Sequence, residues 1–288
     1  MKKDLSSLTY GIIGLGIMGG SIGKAIRKNV NGTIYALDTN RASLDSGIRQ
    51  NIIDKAFLPE QAEEMLSCCD FVFICLYPHD TLDFLRKHKS HYKDNAIITD
   101  ISGVKSFIEK EIDNITPDNG HLILGHPMAG GAKEGYDFSN GEYFQNRNYI
   151  IINNSNIPHD KEALELFKSL IYKMGFTKIT ETDSSTHDNK IGFTSQLCHV
   201  VASAMVESAS DSEITSFGGG SYEDLTRIAM INAPLWTELF LSNRAVLLEH
   251  IENFKSQINN IESLIRDNNP EGLTKLLEDV RQKRIQMN

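Results

Sequence analysis

Long apolar runs are missing from this sequence. No stretch approaches the ~20 residues needed to cross a bilayer, so no membrane partner is expected. Cysteine is scarce as well. The four present (Cys68, Cys69, Cys75 and Cys198) show neither metal-ligand spacing nor a disulfide framework, which points to a reducing, cytoplasmic setting. An excess of positive charge is also lacking. With 29 Lys and Arg against 38 Asp and Glu the formal net charge is −9, so a general nucleic-acid-binding surface is not expected. No internal repeat or low-complexity stretch occurs. The N-terminal MKKDLSSLTYGIIGLG breaks its apolar run with glycines and has no small-residue cleavage site, so it reads as the start of the fold rather than a targeting segment.

What is present suits a globular chain of about two domains: 288 residues, 40% hydrophobic and 23% charged. In the first half, short β-branched or aromatic runs (TYGIIG, TIYALD, DFVFICL, NAIITD, HLILG, NYIIIN) are separated by helix-length segments. That alternation predicts an α/β fold, a parallel sheet with helices on its faces. PHDKEALELFKSLIYKMGF then reads as a helix between Pro158 and Gly175, and TKITETD as one more strand. From Thr186 onward the period is helical. The expected division is a dinucleotide-binding domain over 1–155 and a helical domain over 156–288.

Two of the later helices carry patterns. In HDNKIGFTSQLCHVVASAMVES, Ile191, Thr194, Cys198, Val201 and Met205 trace an apolar stripe, and Gly192, Gln196, His199 and Ser203 a polar one. Further on, Leu247, Ile251, Phe254, Ile258, Ile261 and Ile265 fall at alternating spacings of four and three. This near-heptad seam predicts a long helix starting near Pro234 and ending at Asn268-Asn269-Pro270. The seam suits either an intramolecular core or a dimer interface.

Gly14, Gly16 and Gly19 stand in a G-x-G-x-x-G arrangement after a strand and at the start of a helix. The first allows a tight turn, the second lets a pyrophosphate approach the backbone, and the third lets helix and strand pack closely. A second strand, TIYAL, leads to Asp38, where an acid accepts hydrogen bonds from ribose hydroxyls and repels a 2′-phosphate. NAD is therefore favoured over NADP, although Arg41 could meet a 2′-phosphate. Three more segments fall where such a sheet presents strand ends to its ligand: CLYP (75–78), TDISGVKS with Asp100, Ser102 and Lys105, and LGHPMAGG with His126.

Together GLGIMGGS, TDISGVKS, GHPMAG, HD followed by SQLCH, and GGGSYEDLTRIA resemble, in order and over nearly the whole chain, the prephenate and arogenate dehydrogenases of tyrosine biosynthesis. The resemblance implies a Rossmann-like doubly wound sheet followed by an all-helical dimerisation domain, hence a homodimer. It implies NAD-dependent oxidative decarboxylation of prephenate to 4-hydroxyphenylpyruvate, or of arogenate to tyrosine. It makes His126 the general base toward the C4 hydroxyl, and Ser102 its hydrogen-bonding companion near the nicotinamide. Arg227 becomes the partner of a substrate carboxylate, and His199, His187 and Gln196 become pocket residues. Lys105 either meets substrate or phosphate or anchors its loop to a carboxylate. Asp224 is placed to orient Arg227 if that segment is helical.

Two departures stand out. Many relatives carry a glutamate six residues after the catalytic histidine; here the position is Ala132, followed by Lys133 and Glu134. The family's SHLPH is SQLCH, so Gln196 replaces a titratable histidine. With neither a mutase domain before residue 1 nor an amino-acid-binding domain after residue 288 in this sequence, any feedback control is expected to act at or near the active site. Rival readings are a hydroxyacid dehydrogenase of another Rossmann-plus-helical type, with Lys190 as the nearest candidate acid/base, and a non-catalytic NAD-sensing protein, which would not need His126, Ser102 and Arg227 together.

Overall fold

The computed structural model describes residues 4–131, 133–154 and 159–287; Ala132 and Pro158 lie outside them. The chain forms two compact units that divide after Asn243.

The first unit is built on a six-stranded parallel sheet of β1 (Thr9–Ile13), β2 (Thr33–Leu37), β3 (Lys55–Phe57), β4 (Phe71–Ile74), β5 (Ile97–Asp100) and β6 (His121–Leu122), in the order β3-β2-β1-β4-β5-β6. Its strands read as nearly continuous apolar runs because both faces are covered. Tyr10, Ile12, Phe71 and Phe73 belong to one buried cluster, while Ile13, Val72, Ile74 and Ile98 belong to the other. Helices α1 (Ile17–Asn29), α2 (Arg41–Arg49), α3 (Ala62–Leu66), α4 (Pro78–His88), α5 (Ser106–Glu109) and α6 (Ile112–Ile115) connect the strands. The strand order reverses between β1 and β4, so the glycine loop after β1 and the CLYP loop after β4 flank the crevice where such sheets bind ligands.

A second, three-stranded sheet holds β7 (Gly125–Pro127), β8 (Asn148–Ile152) and β9 (Lys178–Thr182), in the order β7-β8-β9. The HLILGHP run therefore does not end in a loop histidine. It breaks after Leu122 and resumes as β7, where His126 pairs with Ile150 of β8. Helix α7 (Lys161–Lys173) joins β8 to β9, and the Asp160 carboxylate caps it by accepting from Ala163 N at 2.9 Å.

Beyond β9 the first unit is helical: α8 (Ser184–Ile191), α9 (Leu197–Glu207), α10 (Gly220–Thr226) and α11 (Ala233–Ser242). One π-helical turn, Gly192–Gln196, links α8 to α9. Its extra residue per turn shifts the faces read from sequence. Gln196 is buried and His199 half-buried, whereas Thr194, Cys198 and Met205 of the expected apolar stripe are exposed. The second unit consists of α12 (Arg244–Arg266) and α13 (Pro270–Gln286), packed on each other. The expected single helix from Pro234 is thus two, broken at Asn243. No proline or glycine breaks it. The Asn243 amide instead donates to the Asp188 carbonyl (2.9 Å) and to Gln196 Oε1 (2.8 Å), tertiary bonds that local pattern does not encode. On α12, Phe254, Ile258 and Ile265 of the near-heptad seam are exposed while Leu247 is buried.

Among the described residues no helix is long and apolar enough to cross a membrane.

Candidate active site

A cleft of about 820 Å³ opens in the first unit beside the glycine loop. Gly16, Ser102, His126, Gln196, His199 and Arg227 all line it. A volume in this range accommodates a ligand of cofactor-fragment or drug size.

At one end the backbone is shaped for a dinucleotide. Gly14 has φ +87°, and a Cβ there would meet the Cys75 carbonyl oxygen at 2.7 Å. A Cβ on Gly19 would collide with the Gly14 carbonyl oxygen, so helix and strand approach as closely as the motif requires. A Cβ on Gly16, by contrast, would meet nothing within 4 Å: the space over that residue is open. Gly16 is also the N-cap of α1 and offers no side-chain cap, which leaves the first N–H groups of the helix available to phosphate. At the end of β2, Asp38 accepts from Leu15 N and from Asn40 N (2.7 Å), which fixes its carboxylate and leaves further lone pairs for ribose hydroxyls. Exposed Arg41 begins α2 three residues on. This donor set fits a dinucleotide with a free adenosine 2′-hydroxyl.

At the other end His126 projects from β7. Its Nδ1 lies 2.9 Å from His187 Nε2, and His187 Nδ1 lies 2.7 Å from Asp188 Oδ1. A carboxylate can only accept, so His187 Nδ1–H donates to Asp188. The Nε2 of a neutral His187 ring then accepts, and His126 Nδ1–H donates to it. The lone pair of His126 is thereby assigned to Nε2. That atom lies toward the loop after β5: a Cβ built on Gly103 would sit 3.8 Å from it. Neighbouring Ser102 is buried, and its Oγ has no partner among the described residues. Burial first, then the neighbouring His187 ring and the Lys105 cation, hold the His126 pKa well below the usual imidazole value.

Buried charges fix this geometry. Asp100 accepts from Lys105 Nζ (2.7 Å), Ser102 N (2.9 Å) and Gly125 N (3.3 Å), and Lys105 Nζ also donates to the Gly125 carbonyl. Of the two readings open for Lys105, the structure has it anchoring its loop. It is fully buried and does not line the cleft. Asp188 accepts in turn from Lys105 N and Ser106 N, both at 2.8 Å. Burial opposes the charge on Asp188, but its bonds from His187, Ser106 and Lys105 outweigh that and keep its carboxyl below the ordinary range.

His187 was expected in the pocket; it is 1% exposed and stands behind His126 instead of lining the cleft. Gln196 borders the cleft, yet its amide donates to the Leu239 carbonyl (2.9 Å) and accepts from Asn243, tying α11 to the π turn. His199 Nδ1–H donates to the Ser195 carbonyl (2.9 Å), and burial lowers its pKa, so a neutral Nε2 is left for a ligand. Exposed Arg227 forms no ion pair among the described residues, and Asp224 does not reach it. Lys190 is exposed and outside the cleft, which removes the lysine of the rival reading. Glu134 lies at the rim with Lys133, while the Ala132 departure falls outside the described residues.

Three features escaped sequence reading. Trp236 stacks on His199 with ring centroids 3.6 Å apart, Asn232 donates to the Tyr77 hydroxyl at 2.7 Å, and Asp188 supports His187. Only the last had a signal, the HD pair itself.

Comparison with known proteins bears on the whole chain. Residues 22–180 match the family model "Prephenate dehydrogenase, nucleotide-binding domain", and residues 183–279 match "Prephenate dehydrogenase, dimerization domain". Prephenate dehydrogenase of Lactococcus lactis is 30% identical over 97% of this chain and 75% of its own length. That of Bacillus subtilis is 27% identical, over 91% and 71%. A crystal structure of A. aeolicus prephenate dehydrogenase in complex with hydroxyphenyl propionate and NAD+ superposes with a TM-score of 0.88 at 28% identity, covering 99% of this chain and all of the other. An arogenate dehydrogenase from Synechocystis shares the fold at 22% identity and a TM-score of 0.79.

Proposed function

The chain belongs to the prephenate dehydrogenase family, and from that premise we propose that it converts prephenate to 4-hydroxyphenylpyruvate by NAD-dependent oxidative decarboxylation, a step of tyrosine biosynthesis. The observation that carries this reading is the Asp188–His187–His126 hydrogen-bond chain beside Ser102, opening into a cleft whose other end is a dinucleotide loop.

NAD, when bound, supplies the hydride acceptor for C4 of the substrate. Gly14, Gly16, Gly19 and Asp38 hold it, through the α1 N-terminus and the ribose hydroxyls. His126 Nε2 takes the proton of the C4 hydroxyl, and Ser102 Oγ, lacking a protein partner, hydrogen-bonds the same oxygen. The imidazolium so formed keeps its Nδ1–H on His187, whose other nitrogen faces the Asp188 carboxylate, so the new charge is met inside the protein. Arg227, free of acidic partners, takes a substrate carboxylate, while His199 and Gln196 border the ring. Loss of carbon dioxide from C1 completes an aromatic ring and leaves a phenolate oxygen at C4, to which the His126 imidazolium returns its proton, so the product is the 4-hydroxy compound and no net proton is released. His187 acts in this scheme as a positioning residue for His126, not as a substrate contact.

In the same reading residues 1–155 bind the dinucleotide, and the helices of 156–288 bind substrate and form a homodimer in the cytoplasm, where the four free cysteines stay reduced. The exposed seam Phe254, Ile258 and Ile265 supports the homodimer.

The test is NADH formation with prephenate and with arogenate, for the parent and for His126→Asn. Prephenate is expected to be turned over, with kcat in the variant down by about 10²–10⁴. Turnover of arogenate alone would move the assignment to arogenate dehydrogenase, and reduction of NAD with neither substrate would sink it.

A further inference from the structure

The histidines without a motif are not all scattered. Three donor groups from two neighbouring helices and the turn after one of them converge far from the cleft: Glu63 on α3, His88 at the end of α4 and His91 just beyond it. Pro78, the first residue of α4, lines the cleft; His88 ends the same helix, about 15 Å away along its axis.

The backbone sets the cluster. His91 N donates to the His88 carbonyl at 3.0 Å, one tight turn that brings both rings to the same side, with centroids 5.8 Å apart and planes at 68°. Lys93 N donates to the Leu66 carbonyl at 3.2 Å, which draws this turn against the end of α3 and places Glu63 beside it. Glu63 Oε1 then lies 3.4 Å from His91 Nε2.

Two features here lack an explanation in the protein alone. His88 is only 4% exposed, yet among the described residues its buried Nδ1 has no hydrogen-bond partner, and neither has the enclosed His91 Nδ1. Buried polar atoms without partners are rare, and two on adjacent imidazoles call for a missing partner such as an ion. One ligand atom from each of Glu63, His88 and His91 falls within 4.8 Å of the others. Bonds of about 2.0–2.1 Å in a tetrahedral site need ligand atoms about 3.4 Å apart. Glu63, whose side chain is 63% exposed, already lies 3.4 Å from His91 Nε2, and both it and the partly exposed His91 have room to adjust.

We propose that Glu63, His88 and His91 form a binding site for one borderline divalent transition-metal ion, of the zinc class, distinct from the catalytic cleft. Two imidazoles and one carboxylate suit zinc, cobalt or nickel and not the oxygen-seeking magnesium or calcium. Exposed Glu63 and partly exposed His91 give an ion access from solvent. An ion there clamps α3 to α4 and strengthens the dinucleotide-binding sheet without taking part in chemistry.

The experiment titrates the full, EDTA-stripped chain with Zn²⁺ by calorimetry. It uses a Cys68→Ser/Cys198→Ser background, which removes the two exposed thiols as competing ligands. One ion per chain is expected, with a matching rise in Tm. His91→Ala and Glu63→Gln, both at partly or fully exposed positions, should each weaken binding at least about tenfold and abolish that rise. Absence of a saturable site in the parent, or unchanged affinity in His91→Ala, overturns the proposal.

Discussion

Asp188→Asn changes one atom and should reverse the tautomer of the candidate base. In the parent, Asp188 Oδ1 accepts from His187 Nδ1 and Lys105 N, and Oδ2 accepts from Ser106 N. Asparagine can accept at one position only. If its amide nitrogen faces Ser106, two donors oppose each other, and the lost bond to a buried N–H costs about 1–3 kcal/mol. If the amide nitrogen faces His187 instead, the buried Lys105 N–H loses its acceptor at a similar cost, His187 Nδ1 must accept, its Nε2–H then donates to His126 Nδ1, and the His126 proton moves to Nε2. That is the nitrogen from which the base acts. Holding the wrong tautomer behind a catalytic histidine costs up to about 10⁴ in rate in serine proteases; with one further imidazole as relay here, a loss of about 10²–10⁴ in kcat is expected, or about 3–5 kcal/mol. The assay is steady-state NADH formation at fixed pH, with Tm measured alongside. KM for NAD should stay within about threefold, because the change is on the proton-accepting side of the site. A variant that folds and keeps kcat within about threefold of the parent would refute the tautomer assignment.

Further outcomes follow from single contacts. Gly16→Ala meets nothing within 4 Å, so Tm should hold while KM for NAD rises about tenfold; Gly19→Ala collides with the Gly14 carbonyl and should lower Tm as well. Lys105→Met leaves Asp100 buried and uncompensated, both partners being 0% exposed; urea unfolding should register a loss of about 3–5 kcal/mol. Ile258→Asp, on an exposed seam position of α12, should convert dimer to monomer in light scattering without lowering monomer stability; an unchanged mass would reject the seam as the interface. Because burial holds His126 well below 6.5, kcat/KM should be flat through neutrality and fall only on the acid side, as the base becomes protonated. The same depressed pKa contributes stability that is fully present above the unfolded value of 6.5 and is lost as pH falls toward the folded one.

Legibility in the sequence tracked how local each requirement is. The glycine loop and Asp38 could be read because turn, phosphate approach and ribose contact are demands on adjacent backbone atoms. His126 could be read as a residue but not as part of a strand, since β7 is three residues long and exists only by pairing with β8 some 25 residues on. Asp188 has no local signal beyond following His187, because it is 2% exposed and its donors at Lys105 and Ser106 lie more than 80 residues away. The π turn at Gly192–Gln196 reversed which stripe faces inward, and no spacing rule reveals one inserted residue. Asn243 divides two helices for a tertiary reason, its bonds to Asp188 and Gln196.

The arrangement around His126 sets two opposed charges on one ring. Burial first, then His187 and Lys105, depress its basicity, while the Asp188 carboxylate behind His187 works in the other direction once the ring is protonated. A base held too far below working pH is always deprotonated but pulls weakly on a proton, and catalysis is best when its pKa lies near the pH of operation. The substrate of the proposed reaction adds to the balance, because it brings two carboxylates into a cleft whose lining also holds Arg227, Arg147, Lys133, Glu134 and Glu142. In the proposed mode Arg227 takes one of them, and a carboxylate held near His126 would raise its pKa. The free site therefore stays ready to accept at neutral pH, and the bound site becomes the stronger base. On this view burial, with a smaller part from Lys105, sets the resting state of the candidate base, and the substrate's own charge would bring it to working strength.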